Sequence, residues 1–259
     1  MRITLSTILS IIPAFAVLLF GIFFVTGVIS LGELPRAIMI LNLPSLAIII
    51  GGLLTVALVS FPPKQVFDAL ARIRHFFSHN TTDRNDLQQD ISSIISWQKE
   101  VRKNKLSAAN MLSKELGDSF EGYMFTLMAT NYSVEEMQEL GEAKIASNYQ
   151  YNNKHSRVYA SLASISPAFG MFGTLLGLII MLQNFQDTSQ LGVGLGVALM
   201  TTLYGLAFTQ LLWLPMEKKI NNAAIRNAER EQLILEGLLL IMKEKPSLYI
   251  RDYLRASLQ

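Results

Sequence analysis

The chain reads as an all-α polytopic membrane protein, with four transmembrane helices and a helical cytoplasmic domain. Three observations lead there. Apolar residues make up 51% of the 259 residues and charged residues only 16%. The charges are segregated: residues 1–61 hold only Arg2, Glu33 and Arg36, and residues 158–215 hold only Asp187. The apolar runs are continuous and not alternating, which favours spanning helices over a strand barrel.

The spans follow in order. The first is predicted over 4–29, with Pro13 in its first half, and the second over 46–61, between Pro44 and Pro62-Pro63. The third covers 158–182 and the fourth 191–214. Each reaches or approaches the roughly 20 residues that a hydrocarbon core demands. The second is short and can extend back through 38–43. Arg2 precedes an apolar run of about 26 residues, longer than the roughly 7–15 of a secretory leader, so a retained span is expected. The predicted organisation is therefore helices one and two over 1–61, a cytoplasmic helical domain over 62–157, helices three and four over 158–215, and a cytoplasmic C-terminal helix over 216–259.

Basic residues in the short flanks set the topology. Lys64, Arg72 and Arg74 follow span two, Lys154 and Arg157 precede span three, and Lys218, Lys219 and Arg226 follow span four. The connection 183–190 carries no basic residue. Both termini and the block 62–157 are predicted to be cytoplasmic.

That block is predicted to be helical. Residues 64–77 and 86–105 show apolar positions at three- and four-residue spacing. Residues 80–85 read as a loop, with Asp86 capping the helix that follows. Ser133-Val-Glu-Glu136 has the form of a capping box. The helix it opens is expected to run through Lys144 and Lys154 into span three. The tail 217–245 is expected to continue span four as an amphipathic helix ending at Pro246.

Several chemistries are disfavoured. A net charge of +2 gives no nucleic-acid footprint. The absence of cysteine removes disulfides and thiolate metal sites. His75, His79 and His155 form no metal set with nearby carboxylates. No phosphate-binding loop, nucleophile elbow or metal-binding helix motif is present. No cofactor and no catalysis are expected.

The informative residues lie in spans three and four. Pro167, Gly170, Thr174 and Gly177 sit at i, i+3, i+7 and i+10, on one helical face, with Gly173 in the same segment. Thr201, Gly205 and Thr209 recur every four residues on span four. Small faces let helix backbones approach closely in lipid. Packing alone accounts for such stripes; so does packing combined with handling of a polar species. Pro167 and Pro215 stand at matching ends of their spans, as a shared hinge would require. Thr174, Thr201 and Thr202 lie near mid-span. Their hydroxyls can bond back to helix carbonyls, or can help to coordinate a partly dehydrated cation. No Asp, Glu, Lys, Arg or His lies inside any predicted span, yet an ion path ordinarily needs an ionisable group at depth. Either the chain conducts nothing, or a partner brings the carboxylate.

These segments resemble the MotA/PomA family of bacterial stator subunits. The resemblance rests on Pro44-Ser-Leu-Ala-Ile-Ile-Ile-Gly-Gly52, Ser166-Pro-Ala-Phe-Gly-Met-Phe-Gly-Thr-Leu-Leu-Gly177 and Val197-Ala-Leu-Met-Thr-Thr-Leu-Tyr-Gly205. Tail residues 235–242 and 249–254 fit as well. The resemblance implies a homopentamer in the lipid of the bacterial inner membrane, around two copies of a single-span MotB/PomB-type partner. That partner's membrane aspartate would carry the ion, and its distal domain would grip peptidoglycan. Ion flow would turn the pentamer against the flagellar rotor protein FliG. The resemblance further implies Pro167 and Pro215 as hinge positions and Thr202 as an ion-path threonine. Thr174 and Thr201 match threonines typical of sodium-driven members, which favours transported Na⁺ over H⁺. Gly170, Gly173, Gly177 and Gly205 are the expected packing glycines. Arg102 matches the family's rotor-facing arginine. Where the family has a glutamate eight residues later, this chain has Asn110, so Lys103, Lys105, Lys114 and Glu115 are the alternative rotor-facing charges. Two rival readings remain: a TolQ/ExbB-type energiser of another process, and a non-conducting membrane scaffold.

Overall fold

The computed structural model describes residues 42–73, 84–183, 185–186 and 188–256. The predicted first span, His75, His79 and residues 80–83 lie outside these. Every regular element among the described residues is helical. They are α1 (Leu43–Ser60), α2 (Pro63–Arg72), α3 (Arg84–Lys103), α4 (Lys105–Leu116), α5 (Phe120–Ala129), α6 (Val134–Asn152), α7 (Lys154–Gln183), α8 (Thr188–Ala207), a π-helical segment (Phe208–Trp213), α9 (Leu214–Met242) and α10 (Ser247–Ala256). Among the described residues, three stretches are long and apolar enough to cross a membrane: Leu43–Ser60, Lys154–Gln183 and Leu191–Met242. Two compact units emerge, one from Met1–His79 with Lys154–Ile220, the other from Asn80–Asn153 with Asn221–Gln259.

The first unit contains α1, α2, α7, α8 and the π segment. Asn42 starts α1: its Oδ1 accepts from the Ser45 backbone N–H at 3.1 Å and from Ser45 Oγ at 3.0 Å. Pro44 sits in the first turn, where its missing N–H costs nothing. Ser45, Ile49, Leu53 and Ala57 are buried at four-residue spacing and make one inward stripe. Ile50, Leu58 and Val59 stay exposed on a helix that is apolar all round, as suits a hydrocarbon surrounding. Ile49, Leu53, Val66, Tyr159, Leu162, Trp213 and Met216 form the core. The Tyr159 hydroxyl donates to Ala69 O and so joins α7 to α2.

The second unit packs α3–α6, most of α9, and α10 around Ile94, Met124, Phe125, Met128, Met137, Ile234, Leu238 and Ile250. The capping box at Ser133 forms as its sequence predicts: Glu136 N–H donates to Ser133 Oγ at 3.1 Å, and Ser133 N–H donates to Glu136 Oε2 at 2.9 Å. Those two bonds, the backbone one foremost, hold the Glu136 carboxyl below its usual range. Three boundaries differ from expectation. Asp86 is not a cap, since α3 already includes Arg84. Lys105 does not end α3 but opens α4, because Asn104 takes an extended backbone and accepts from Ser107 N–H at 3.3 Å. The helix from Ser133 does not run on into span three: it ends at Asn152, and Asn153 separates it from α7. At Asn104 the side chain offers the backbone a partner that competes with the helical ladder.

A charged cluster fastens the second unit. Arg230 on α9 donates through Nε and Nη2 to Asp90 of α3 at 2.7 and 2.8 Å, and through Nη2 to Glu121 of α5 at 2.8 Å. Asp90 and Glu121 are 8% and 6% exposed, so their charges depend on this guanidinium. Next to it, Glu231 accepts from Asn148 Nδ2 at 2.8 Å, while its other oxygen is buried without a partner. Burial pushes the Glu231 carboxyl up, against the lowering effect of Asn148.

Each unit holds one of the two tryptophans, Trp97 and Trp213, so fluorescence can report them separately. Arg230→Met is expected to cost about 2–3 kcal/mol at neutral pH, because it leaves two carboxylates buried without a counter-charge. Urea unfolding followed by Trp97, in a Trp213→Phe background, measures it. Glu231→Gln should act oppositely. The folded state holds the Glu231 proton more tightly than the unfolded chain, so native Glu231 favours folding increasingly as pH falls from neutral towards the ordinary carboxylate range. The glutamine variant should be the more stable at neutral pH and should lose that rise, as unfolding midpoints at a series of pH values would show.

Candidate functional site

The close approach of α7 and α8 is made by glycine. A Cβ on Gly177 would stand 2.6 Å from Ala198 N and Gly194 O, and one on Gly205 would stand 2.7 Å from Ser166 O. These are backbone atoms with no rotamer to yield, so only glycine fits. A Cβ on Gly170 would meet Thr201 O at 3.2 Å and Thr202 Cα at 3.3 Å, a milder crowding. Gly173 faces the Thr201 side chain, which fills the space that a Cβ would need.

This contact separates the three threonines. Thr174 of α7 and Thr202 of α8 come together, with their hydroxyl oxygens 2.5 Å apart. Thr174 Oγ1 also lies 3.1 Å from both Gly170 O and Ala198 O, and Thr202 Oγ1 lies 3.4 Å from Gly170 O. Two hydroxyls bring two protons to a group of four oxygens. Lone pairs are left over, the ligand type that a hard, partly dehydrated cation requires. Thr201 stands apart from this pair. It is fully buried against Gly173, and its hydroxyl bonds back to Val197 O at 2.9 Å and Ala198 O at 3.0 Å. In the described structure Thr201 is a packing residue whose oxygen serves its own helix.

The N-terminal end of α1 is tied to the same helix. Asn42 N–H donates to the Tyr204 hydroxyl at 3.0 Å, and Ser45 Oγ lies 3.3 Å from Val197 O. No Asp, Glu, Lys, Arg or His lies along residues 43–60, 158–183 or 188–215. Pro167 sits inside α7, and Pro215 directly follows the first residue of α9, just beyond the π segment.

The predicted rotor-facing residues lie in the second unit. Arg102 and Lys103 are exposed in the last turn of α3, where basic charge complements the helix dipole. Lys103 Nζ pairs with Glu100 at 3.1 Å. Arg102 lines a cavity of about 280 Å³ with Gln98, Ile241, Glu244 and Lys245. Lys105 opens α4, its side chain lying outside the described set. Lys114, Glu115 and Asn110 are exposed on α4. Residues that motif reading passed over are Ser45, Ser166 and Trp213. Their signal was weak, since a serine or a tryptophan in a span is ordinary until its partner is known.

A profile described as the MotA/TolQ/ExbB proton channel family matches residues 103–232. The chain belongs to this family. Its relatives include Motility protein A of Aquifex aeolicus, 30% identical over 93% of this chain and 92% of that protein. Another is Chemotaxis protein PomA of Vibrio alginolyticus, 26% identical over 97% and 94%. The fold matches the structure of C. jejuni MotAB with a TM-score of 0.81 at 20% identity, over 99% of this chain and 96% of that one. The glycines above let α7 and α8 lie side by side, and their substitution should grade accordingly. Gly177→Ala and Gly205→Ala are expected to abolish recovery of membrane-inserted, detergent-stable protein, whereas Gly170→Ala should retain about half. Size-exclusion yield from equal membrane fractions measures the series.

Proposed function

We propose that the chain is the membrane subunit of a stator that couples cation flow across the bacterial inner membrane to rotation of the flagellar motor. The observation that carries this reading is the Thr174–Thr202 pair, facing each other across α7 and α8 in spans with no acidic, basic or histidine side chain. Two hydroxyls and the carbonyls of Gly170 and Ala198 can share in solvating a cation that has shed part of its water. They cannot hold it as a carboxylate can. On this reading a single-span MotB/PomB-type subunit anchored to peptidoglycan supplies that carboxylate, and the match in fold to C. jejuni MotAB supports a second subunit. Sodium is the favoured ion, H⁺ the alternative. The chain works as a pentamer in the lipid bilayer, with both termini and the second unit on the cytoplasmic side. Pro167 and Pro215 give α7 and the α8–α9 run the bend that changes as the carboxylate loads and releases its ion. Arg102, Lys103, Lys105, Lys114 and Glu115 present charge to the rotor protein FliG. Exposed Asn110, in place of a charged residue, favours a second reading in which the driven partner is not FliG but the target of a TolQ/ExbB-like energiser.

Co-expression with the single-span partner in a strain lacking stators decides between them. The expected result is motility that rises with external Na⁺ at fixed pH, and that Thr202→Ala and Pro167→Leu each abolish at unchanged membrane levels. Motility indifferent to Na⁺ but graded by pH would replace sodium with the proton. Full motility of both variants would overturn the ion path and the hinge.

A further inference from the structure

Proline at 167 leaves a defect in α7 that the chain repairs from another helix. Pro167 has no N–H to give to the carbonyl four residues earlier, Ala163 O. Ala163 is 3% exposed, so water cannot easily serve that oxygen. In a membrane span an unserved carbonyl is costly, and a neighbouring helix commonly meets it. Here the donor at hand is Thr209, itself 6% exposed, whose Oγ1 lies 3.3 Å from Ala163 O and 2.9 Å from Gly205 O of its own helix. One hydroxyl proton stands between two carbonyls, one on each helix.

The local backbone of the fourth span puts it there. Thr209 and Trp213 both belong to the π segment Phe208–Trp213, closed by Leu214 N–H donating to Thr209 O, five residues back. The wider turn sets the two side chains towards the same stretch of α7. Trp213 Nε1–H donates to Ser166 Oγ at 3.0 Å, and Ser166 is fully buried immediately before Pro167. The π segment therefore sends one donor to the carbonyl that Pro167 opens and another to the residue that precedes it. It ends two residues before Pro215, whose own missing N–H disfavours a regular α turn at that point. Insertions of this kind in an otherwise α-helical span recur at functional sites.

We infer that Thr209 and Trp213 are positioning residues that clasp the Pro167 break, and that the Thr209 proton passes between Gly205 O and Ala163 O as the two spans shift. The clasp makes the two prolines one mechanical element. Its role in force transmission rests on the stator reading above; the hydrogen bond does not.

The test uses the full chain with its single-span partner, purified in detergent for stability and assayed in cells for motility. Thr209→Val keeps the shape and removes the hydroxyl, while Thr209→Ser keeps the hydroxyl. The valine variant should lower the thermal unfolding midpoint by about 2 °C, the scale of one interhelical hydrogen bond in a chain of this size. The serine variant should match the native protein. In a Pro167→Ala background, residue 167 again offers an N–H to Ala163 O, so the valine shift should fall below half its size. Equal shifts in both backgrounds would overturn the clasp. If Pro167→Ala does not fold, the order of Ser and Val decides: a hydroxyl role spares Ser, whereas a packing role spares Val and sinks the inference. In cells, Thr209→Val should lose most swimming at native membrane levels, and Thr209→Ser should restore it. A stability cycle that behaves as expected without any motility in the native strain would sink the stator reading and leave the clasp standing.

Discussion

In hydrocarbon the backbone has no water to turn to, and the spanning part of this protein depends on meeting that constraint. A plain helix meets it within itself. Here two prolines interrupt the ladders, so carbonyls must find donors elsewhere. For Ala163 O the Thr209 hydroxyl supplies one, while the Trp213 indole N–H goes to the Ser166 hydroxyl beside the break. The same hydroxyls need backbones close enough to reach, which is why the contacts of Gly177 and Gly205 are with backbone atoms of the facing helix. Glycine, threonine and proline thus form one system: proline opens a bond, glycine brings the neighbouring helix near, and threonine donates.

That system also explains how a cation could be handled without a charge in the spans. Threonine oxygens that face one another across two helices are only partly consumed by hydrogen bonding. Thr174 and Thr202 share two protons among several acceptors, whereas Thr201 is spent on its own helix. On the proposed stator reading, an uncharged wall of this kind would lower the cost of a partly dehydrated ion without trapping it, and a partner subunit would bring the counter-charge.

The second unit solves the buried-polar problem by different means. It places one guanidinium between two carboxylates from different helices, so α3, α5 and α9 are held by charge as well as by the Met124, Phe125 and Leu238 core. Such a cluster is intolerant of losing its centre, and that makes it a specific fastener. Glu231 beside it lacks a partner for one oxygen, and burial raises its proton affinity.

Much of this was legible from residue order. The spans show as charge-free apolar runs, because a charge in hydrocarbon is expensive wherever the chain goes. The capping box at Ser133 shows, because its partners lie three residues apart and need nothing else. Local rules failed at two boundaries: α6 stops at Asn152 where periodicity alone would continue, and Asn104 caps where apolar spacing would run on. The sequence by itself therefore determined a helical membrane protein, its described spans, their small and hydroxyl-bearing faces, and their lack of charge. Only the tertiary structure decided which hydroxyl does what. Thr201 and Thr202 are neighbours in sequence but point about 100° apart on a helix, so packing turns one to Gly173 and the other to Thr174. Thr209 gains its second acceptor because a π turn and a proline on another helix come to face it. A hydrogen bond between helices depends on the position of both, and no single stretch of sequence contains both positions.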